Sequence, residues 1–286
     1  MRSAAFAALI LSLSFGAPAH AENSTPVGAE AQPSDARWNE LRPMLFKGRT
    51  LADGIDVIEL HAPARAVEAA VVPVSFHTRF PQTAGHYVKT VSLVVDGNPA
   101  PLAAVFHFTP DSGQADVETH LRIDDYTYIH VVAETNDGKF YVSRTFVKAA
   151  GGCSAPSDDS EAAPHQLGQM TFHQIGAFRP DHLNLAQLMI YHPNNSGLQM
   201  DQVTHLYIPP HYIQKISILL SGKPILTIDS DIALSENPFF RFFYVPRKTG
   251  SLQVSVTDNL QKTFTASWPV GPTAAAAKPA PEAETK

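Results

Sequence analysis

The feature that most constrains this chain is an alternation of apolar and polar residues that begins at Val71 and returns through most of its length. Val72, Val74, Phe76, Thr78 and Phe80 fall on one face, with Ser75, His77 and Arg79 on the other. A period of two is the pattern of a half-buried strand. It recurs at Val88 to Val95, Val105 to Phe108, Val117 to Ile123 and Ile129 to Ala133, with Glu118, His120 and Arg122 expected to point outward. Asn136, Asp137 and Gly138 form a hairpin signal before Phe140, Val142, Arg144 and Phe146. A second block predicts strands at Leu185 to Tyr191, Ile213 to Leu220, Ile225 to Ile228, Phe239 to Tyr244, Leu252 to Thr257 and Thr263 to Trp268, with Asp258 and Asn259 marking the last hairpin. Strands this short, without long intervening helices, predict an all-β chain of antiparallel sandwiches. No short fixed repeat is present, which argues against a solenoid or propeller.

Between Ala149 and Gly168 the alternation stops, and GGCSAPSDDSEAAPHQLG reads as a flexible linker. The expected organisation is a signal peptide over 1–21, a mobile leader and short helix over 22–59, one sandwich over 60–150, a cysteine-bearing arm and linker over 151–168, a second sandwich over 169–271 and a disordered tail over 272–286. In the helix, Trp38, Leu41 and Leu45 share a face, Ser34 or Asp35 can cap it, and Pro43 limits its regularity. The amino-terminal address has one charge at Arg2, an apolar run from Ala4 to Gly16, and the small-x-small end Ala19, His20, Ala21. Cleavage after Ala21 and export to the periplasm follow as expectations. The apolar run is well short of the ~20 residues that a membrane helix needs.

Composition narrows the function. The hydrophobic fraction is 44%, the charged fraction 17% and the net charge −6, a globular balance without basic clusters. Nucleic acid and anionic membrane are therefore not expected as partners. There is no G-x-S-x-G elbow for a hydrolase and no glycine-rich nucleotide fingerprint. Of the 13 histidines, His120 and His130 fall on polar strand faces while His165, His173 and His182 bracket the linker. None has a close ligand pair of recognised spacing, and Met170, Met189 and Met200 are singly spaced, so neither a metal site nor any cofactor is expected.

The chain has one cysteine, Cys153. An exported protein normally pairs its cysteines, so a lone one is either incidental or works as a thiol. It sits after Gly151 and Gly152 and before Ser154, where no core packing is expected. The expectation is an exposed thiol with a pKa near ~8.5 on a flexible arm of Gly151, Gly152 and Ser154.

The stretches VVPVSF, YVKTVSLVVDGNPAPLAAVFHFTPDSG and VVAETNDGKFYVSRTFVKAAGGC resemble the SoxY half of the SoxYZ sulfur-carrier family. YHPNNSGLQMD, IPPHYIQKI and SENPFFRFFYV resemble the SoxZ half. The single-chain order is most similar to the SoxYZ-like carriers associated with quinoprotein dehydrogenases. The resemblance implies immunoglobulin-like sandwiches for both domains, Cys153 as the covalent attachment point for a sulfur-containing intermediate, Gly151 and Gly152 as its arm, and a carrier rather than an enzyme. It also implies partners among periplasmic enzymes that act on the cargo, including a quinoprotein dehydrogenase system. The family arm ends its chain at Gly-Gly-Cys-Gly, whereas here Ser154 replaces the last glycine and the chain runs on. The alternatives are a non-covalent binding or maturation module for such a dehydrogenase, and a copper-delivering protein.

Overall fold

The computed structural model describes residues 35–156 and 166–272. The expected signal peptide, the leader up to Ser34, the linker segment 157–165 with His165, and the tail from 273 lie outside the described residues. Among the described residues one α-helix, α1 (Ala36–Leu45), precedes fifteen strands, with a short 3-10 turn at Pro110–Ser112. The first half holds β1 (Leu51–Asp53), β2 (Ile58–His61), β3 (Val72–Thr78), β4 (Val88–Val95), β5 (Leu102–Phe108), β6 (Val117–Leu121), β7 (Thr127–Thr135) and β8 (Phe140–Val147). The second holds β9 (Met170–Ile175), β10 (Asn184–Ile190), β11 (Ile213–Leu220), β12 (Lys223–Ser230), β13 (Phe239–Tyr244), β14 (Gly250–Asp258) and β15 (Thr263–Val270). Among the described residues no helix is long and apolar enough to cross a membrane.

The strands form two facing sheets, as the alternation predicts. One has nine strands in the order β1-β8-β7-β4-β5-β12-β11-β14-β15, the other six in the order β2-β3-β6-β13-β10-β9. Both sheets run through both halves. β5 pairs antiparallel with β12 over Ala104–Phe108 and Leu226–Ser230, and β6 pairs with β13 through Glu118 with Arg241 and Val117 with Phe242. The two sandwiches therefore lie edge to edge with their layers joined, and their inward faces share one hydrophobic core. Phe76 and Phe106, with ring centres 5.2 Å apart, meet Phe240 of the second half 6.5 Å from Phe106.

Helix α1 covers the outer face of the larger sheet, where Trp38, Leu41 and Phe46 pack with Val94 and Val132 in a small second cluster. Asp35 caps the helix only by position, since its carboxylate accepts from Arg144 instead. The Asn136-Asp137-Gly138 turn forms as expected, with Gly138 at φ +80° and its N–H bonded to Thr135 O. Three strands lie where none was expected. β1 falls in the segment read as leader and helix, β2 straddles the expected boundary at 59/60, and β9 precedes the first strand predicted for the second half.

Candidate functional site

Strand β8 delivers the chain to Cys153, and the backbone after it is seated rather than free. Lys148 N–H donates to Ala64 O at 3.0 Å, and Ala66 N–H returns a bond to Lys148 O. Gly151 N–H then donates to Asp124 O at 2.8 Å and Gly152 N–H to Ile123 O at 2.9 Å. Gly151 holds φ +77°, the left-handed region that suits glycine. At Gly152 space is the constraint, because a Cβ there would lie 2.0 Å from Ala69 O and 2.6 Å from Ile123 O. Ser154 closes a turn, its N–H donating to Gly151 O.

The second half supplies the other side of the seat. Ser196, buried in the loop after β10, donates through Oγ to the carbonyl of Cys153. That loop is itself fixed, since Ser196 N–H donates to Gln199 Oε1 at 2.7 Å and Leu198 N–H to Ser196 Oγ at 3.1 Å. Cys153 is consequently 0% exposed. The expected exposed thiol on a flexible arm is thus corrected. Bonds to the carbonyls of Ile123 and Asp124, close packing of Gly152 on Ala69 and a hydroxyl from the other half hold this backbone in place, and Cys153 is buried there. Burial pushes the thiol up to about 12, the Asp124 charge adds to this, and the Arg122 guanidinium opposes it.

Arg122 is the site residue that the sequence pattern misplaced. Expected outward at the end of a strand, it is 1% exposed and is among the largest fully buried side chains. The reason is local: β6 ends at Leu121, and Arg122 leaves the ladder to donate its N–H to Ala233 O of the second half at 2.7 Å. Its Nη1 donates to Gly152 O at 3.2 Å, while Nε has no hydrogen-bond partner. A guanidinium thus lies beneath the arm, in electrostatic contact with Cys153, Glu236 and Glu68. Asn98 braces the same turn, donating to Arg122 O at 2.8 Å and accepting from Asp124 N–H at 2.9 Å.

The histidines and methionines singled out by sequence are not brought together. His130 is buried, stacked on Trp38 with ring centres 3.8 Å apart and facing Asp96 at 3.1 Å. His120 stacks on Phe239, and burial pushes its pKa down. His173 and His182 are exposed. Met170 is buried in β9 and Met200 exposed in a loop. A different set does converge: His192, His211 and Asp258 place one donor atom each within 4.8 Å of one another. Sequence offered only a weak signal for it, because the three positions are distant in the chain and meet through the fold.

Comparison with known proteins gives matches for each half. The family model described as Sulfur oxidation protein SoxY matches residues 42–153, and that described as Sulphur oxidation protein SoxZ matches residues 176–269. Among solved structures, the sulfur carrier protein SoxY from Chlorobium limicola f thiosulfatophilum is similar at 23% identity, covering 40% of this chain and 97% of that one with a TM-score of 0.34. A superoxide reductase (neelaredoxin) from Ignicoccus hospitalis is similar at 18% identity, covering 32% of this chain and 79% of that one with a TM-score of 0.30. No curated protein matches the chain.

Proposed function

Because the chain belongs to the SoxYZ sulfur-carrier family, with a SoxY and a SoxZ domain in one polypeptide, we propose that it carries a sulfur-containing intermediate covalently on Cys153 in the periplasm and presents it to partner enzymes, those of a quinoprotein dehydrogenase system among them. The observation that carries this reading is the seat itself. The only cysteine is held at the junction of the two halves by contacts from each, over a buried guanidinium. The Ala19-His20-Ala21 end of the amino-terminal apolar run supports export.

The seated arm is a closed state. With its thiol pushed up to about 12, almost no thiolate exists at neutral pH, and the sulfur is out of reach. Loading requires the arm to leave its seat, which breaks the bonds of Gly151, Gly152 and the Cys153 carbonyl but none of the sheet ladders. Once released, the thiol returns towards ~8.5 and a few per cent ionises. The thiolate then attacks a donor sulfur that carries a thiolate leaving group. A sulfur–sulfur bond to Cys153 forms, the donor's sulfur–sulfur bond breaks, and its electron pair leaves with the donor thiolate, which takes up the proton Cys153 lost. The exchange is redox-neutral and needs no added oxidant. Unloading is the same step in reverse, on an acceptor thiolate.

Burial of Cys153 favours one second reading, a non-covalent binding or maturation module for a quinoprotein dehydrogenase in which the cysteine is a packing residue. Intact-mass measurement of protein taken from the periplasm without reductant separates the two. A carrier shows species heavier than the bare chain that dithiothreitol strips, that peptide mapping places on Cys153, and that a folded Cys153→Ala variant lacks. Bare mass under every growth condition overturns the carrier reading in favour of the module.

A further inference from the structure

The converging set in the second half has the properties of a metal centre, and it lies outside the cysteine seat. His192 follows β10, His211 precedes β11 and Asp258 ends β14. His211 Nε2 is 2.9 Å and His192 Nε2 3.7 Å from the same oxygen, Asp258 Oδ2. The His192 and Asp258 side chains are 0% exposed, and His211, at 18%, is the side open to solvent.

The decisive atom is His192 Nε2, which is buried and has no hydrogen-bond partner. A buried polar nitrogen left bare is costly and calls for an explanation. The other ring nitrogen is well supplied. Nδ1 lies 2.9 Å from Asn194 Oδ1 and 3.1 Å from Asn194 N–H. Asn194 cannot flip, because its Nδ2 donates to Ser235 O at 3.1 Å and its Oδ1 accepts from Ile213 N–H at 3.1 Å. With the proton on Nδ1, donated to Asn194 Oδ1, Nε2 presents a bare lone pair towards Asp258 and His211. With the proton on Nε2, its nearest acceptor is 3.7 Å away, too far for a hydrogen bond. Neither tautomer satisfies Nε2 within the protein.

Asp258 is prepared in the same way. Its Oδ1 accepts from Leu260 N–H at 2.9 Å and Lys262 N–H at 2.8 Å, which fixes the carboxylate and leaves Oδ2 to the two imidazoles. Two imidazole nitrogens and one carboxylate oxygen, with His192 and Asp258 oriented by groups behind them, are the donor set of a borderline divalent ion with one position left for water. We infer that His192, His211 and Asp258 form a binding site for a divalent first-row transition metal, with zinc as its probe and His192 Nε2, His211 Nε2 and Asp258 Oδ2 as ligands. Binding takes the place of the proton that His211 Nε2 now directs at Asp258, and the neutral ring carries that proton on Nδ1 instead. It also gives His192 Nε2 its missing partner.

The test uses the untagged full chain, stripped with chelator, dialysed against zinc and passed over a desalting column. Elemental analysis is expected to give about one zinc per chain for the wild type and for Cys153→Ala, and less than a tenth of that for His211→Ala and His192→Gln. Cobalt(II) on the wild type is expected to give visible ligand-field bands without a thiolate charge-transfer band, a readout that needs no variant to fold. Wild-type protein that retains no zinc overturns the inference. So does zinc lost in Cys153→Ala but kept in His211→Ala, or a cobalt spectrum showing thiolate ligation.

Discussion

At Gly152 the missing side chain decides the state of the cysteine that follows it. Any Cβ there would press into the carbonyls of Ala69 and Ile123, so Gly152→Ala is expected to unseat the arm while the sheets stand. Alkylation of Cys153 by iodoacetamide at neutral pH reads this out. The wild type is expected to react more slowly than the variant by orders of magnitude, since its sulfur is buried and its thiol, pushed up to about 12, holds its proton. The sign with pH follows from the same shift. The seated thiol holds its proton more tightly than the free one, so seating is at full strength below pH ~8.5 and weakens tenfold per unit between there and about 12. The ratio of variant to wild-type rates therefore shrinks across that window, and a ratio that stays constant refutes the seat. Cys153 and its glycines were legible in the sequence as a lone thiol in a loop. Its burial was not, because the groups that seat its backbone, Ala69, Ile123 and Ser196, are remote in the chain. Arg122 was misplaced because the alternation runs on past the end of the ladder: β6 stops at Leu121, and Arg122 turns to the second half instead.

At the level of elements, the strands that sequence missed share one property. β1, β2 and β9 are all edge strands, each paired along one side only. Short edges carry less of the buried alternation that marks a central strand, and the three exposed or half-exposed residues of β1 have none of it. Central strands such as β4, β11 and β13 were legible to the residue, because each has neighbours on both sides and its apolar residues are buried between the layers. Helix α1 depends on packing rather than on its own caps. Its Asp35 makes no capping bond, Pro43 interrupts it, and Trp38 stacked on His130 anchors it to the sheet. Trp38→Ala is expected to cost about 3 to 5 kcal/mol in urea unfolding. A loss under 1 kcal/mol would mean that the helix is not part of the cooperative unit.

For the whole molecule, the composition and the alternation sufficed to predict a β-sandwich fold, but not that the layers of the two halves would join. A protease site placed between Pro156 and Gln166 tests the join. After cleavage the two fragments are expected to travel together on gel filtration and to unfold in one transition, since parting them would bare β5, β6, β12 and β13 and open the shared core. Fragments that separate and stay soluble would contradict it. Two joins, one in each layer, also work as a pair of rivets. A single riveted strip can pivot about its fastening, whereas two in parallel layers cannot turn without shearing one of them. Access to the sulfur is therefore set by a few residues of loop, which move in nanoseconds to microseconds. A partner enzyme meets a rigid body with one short movable tongue, and need not wait for a slower swing of one half against the other.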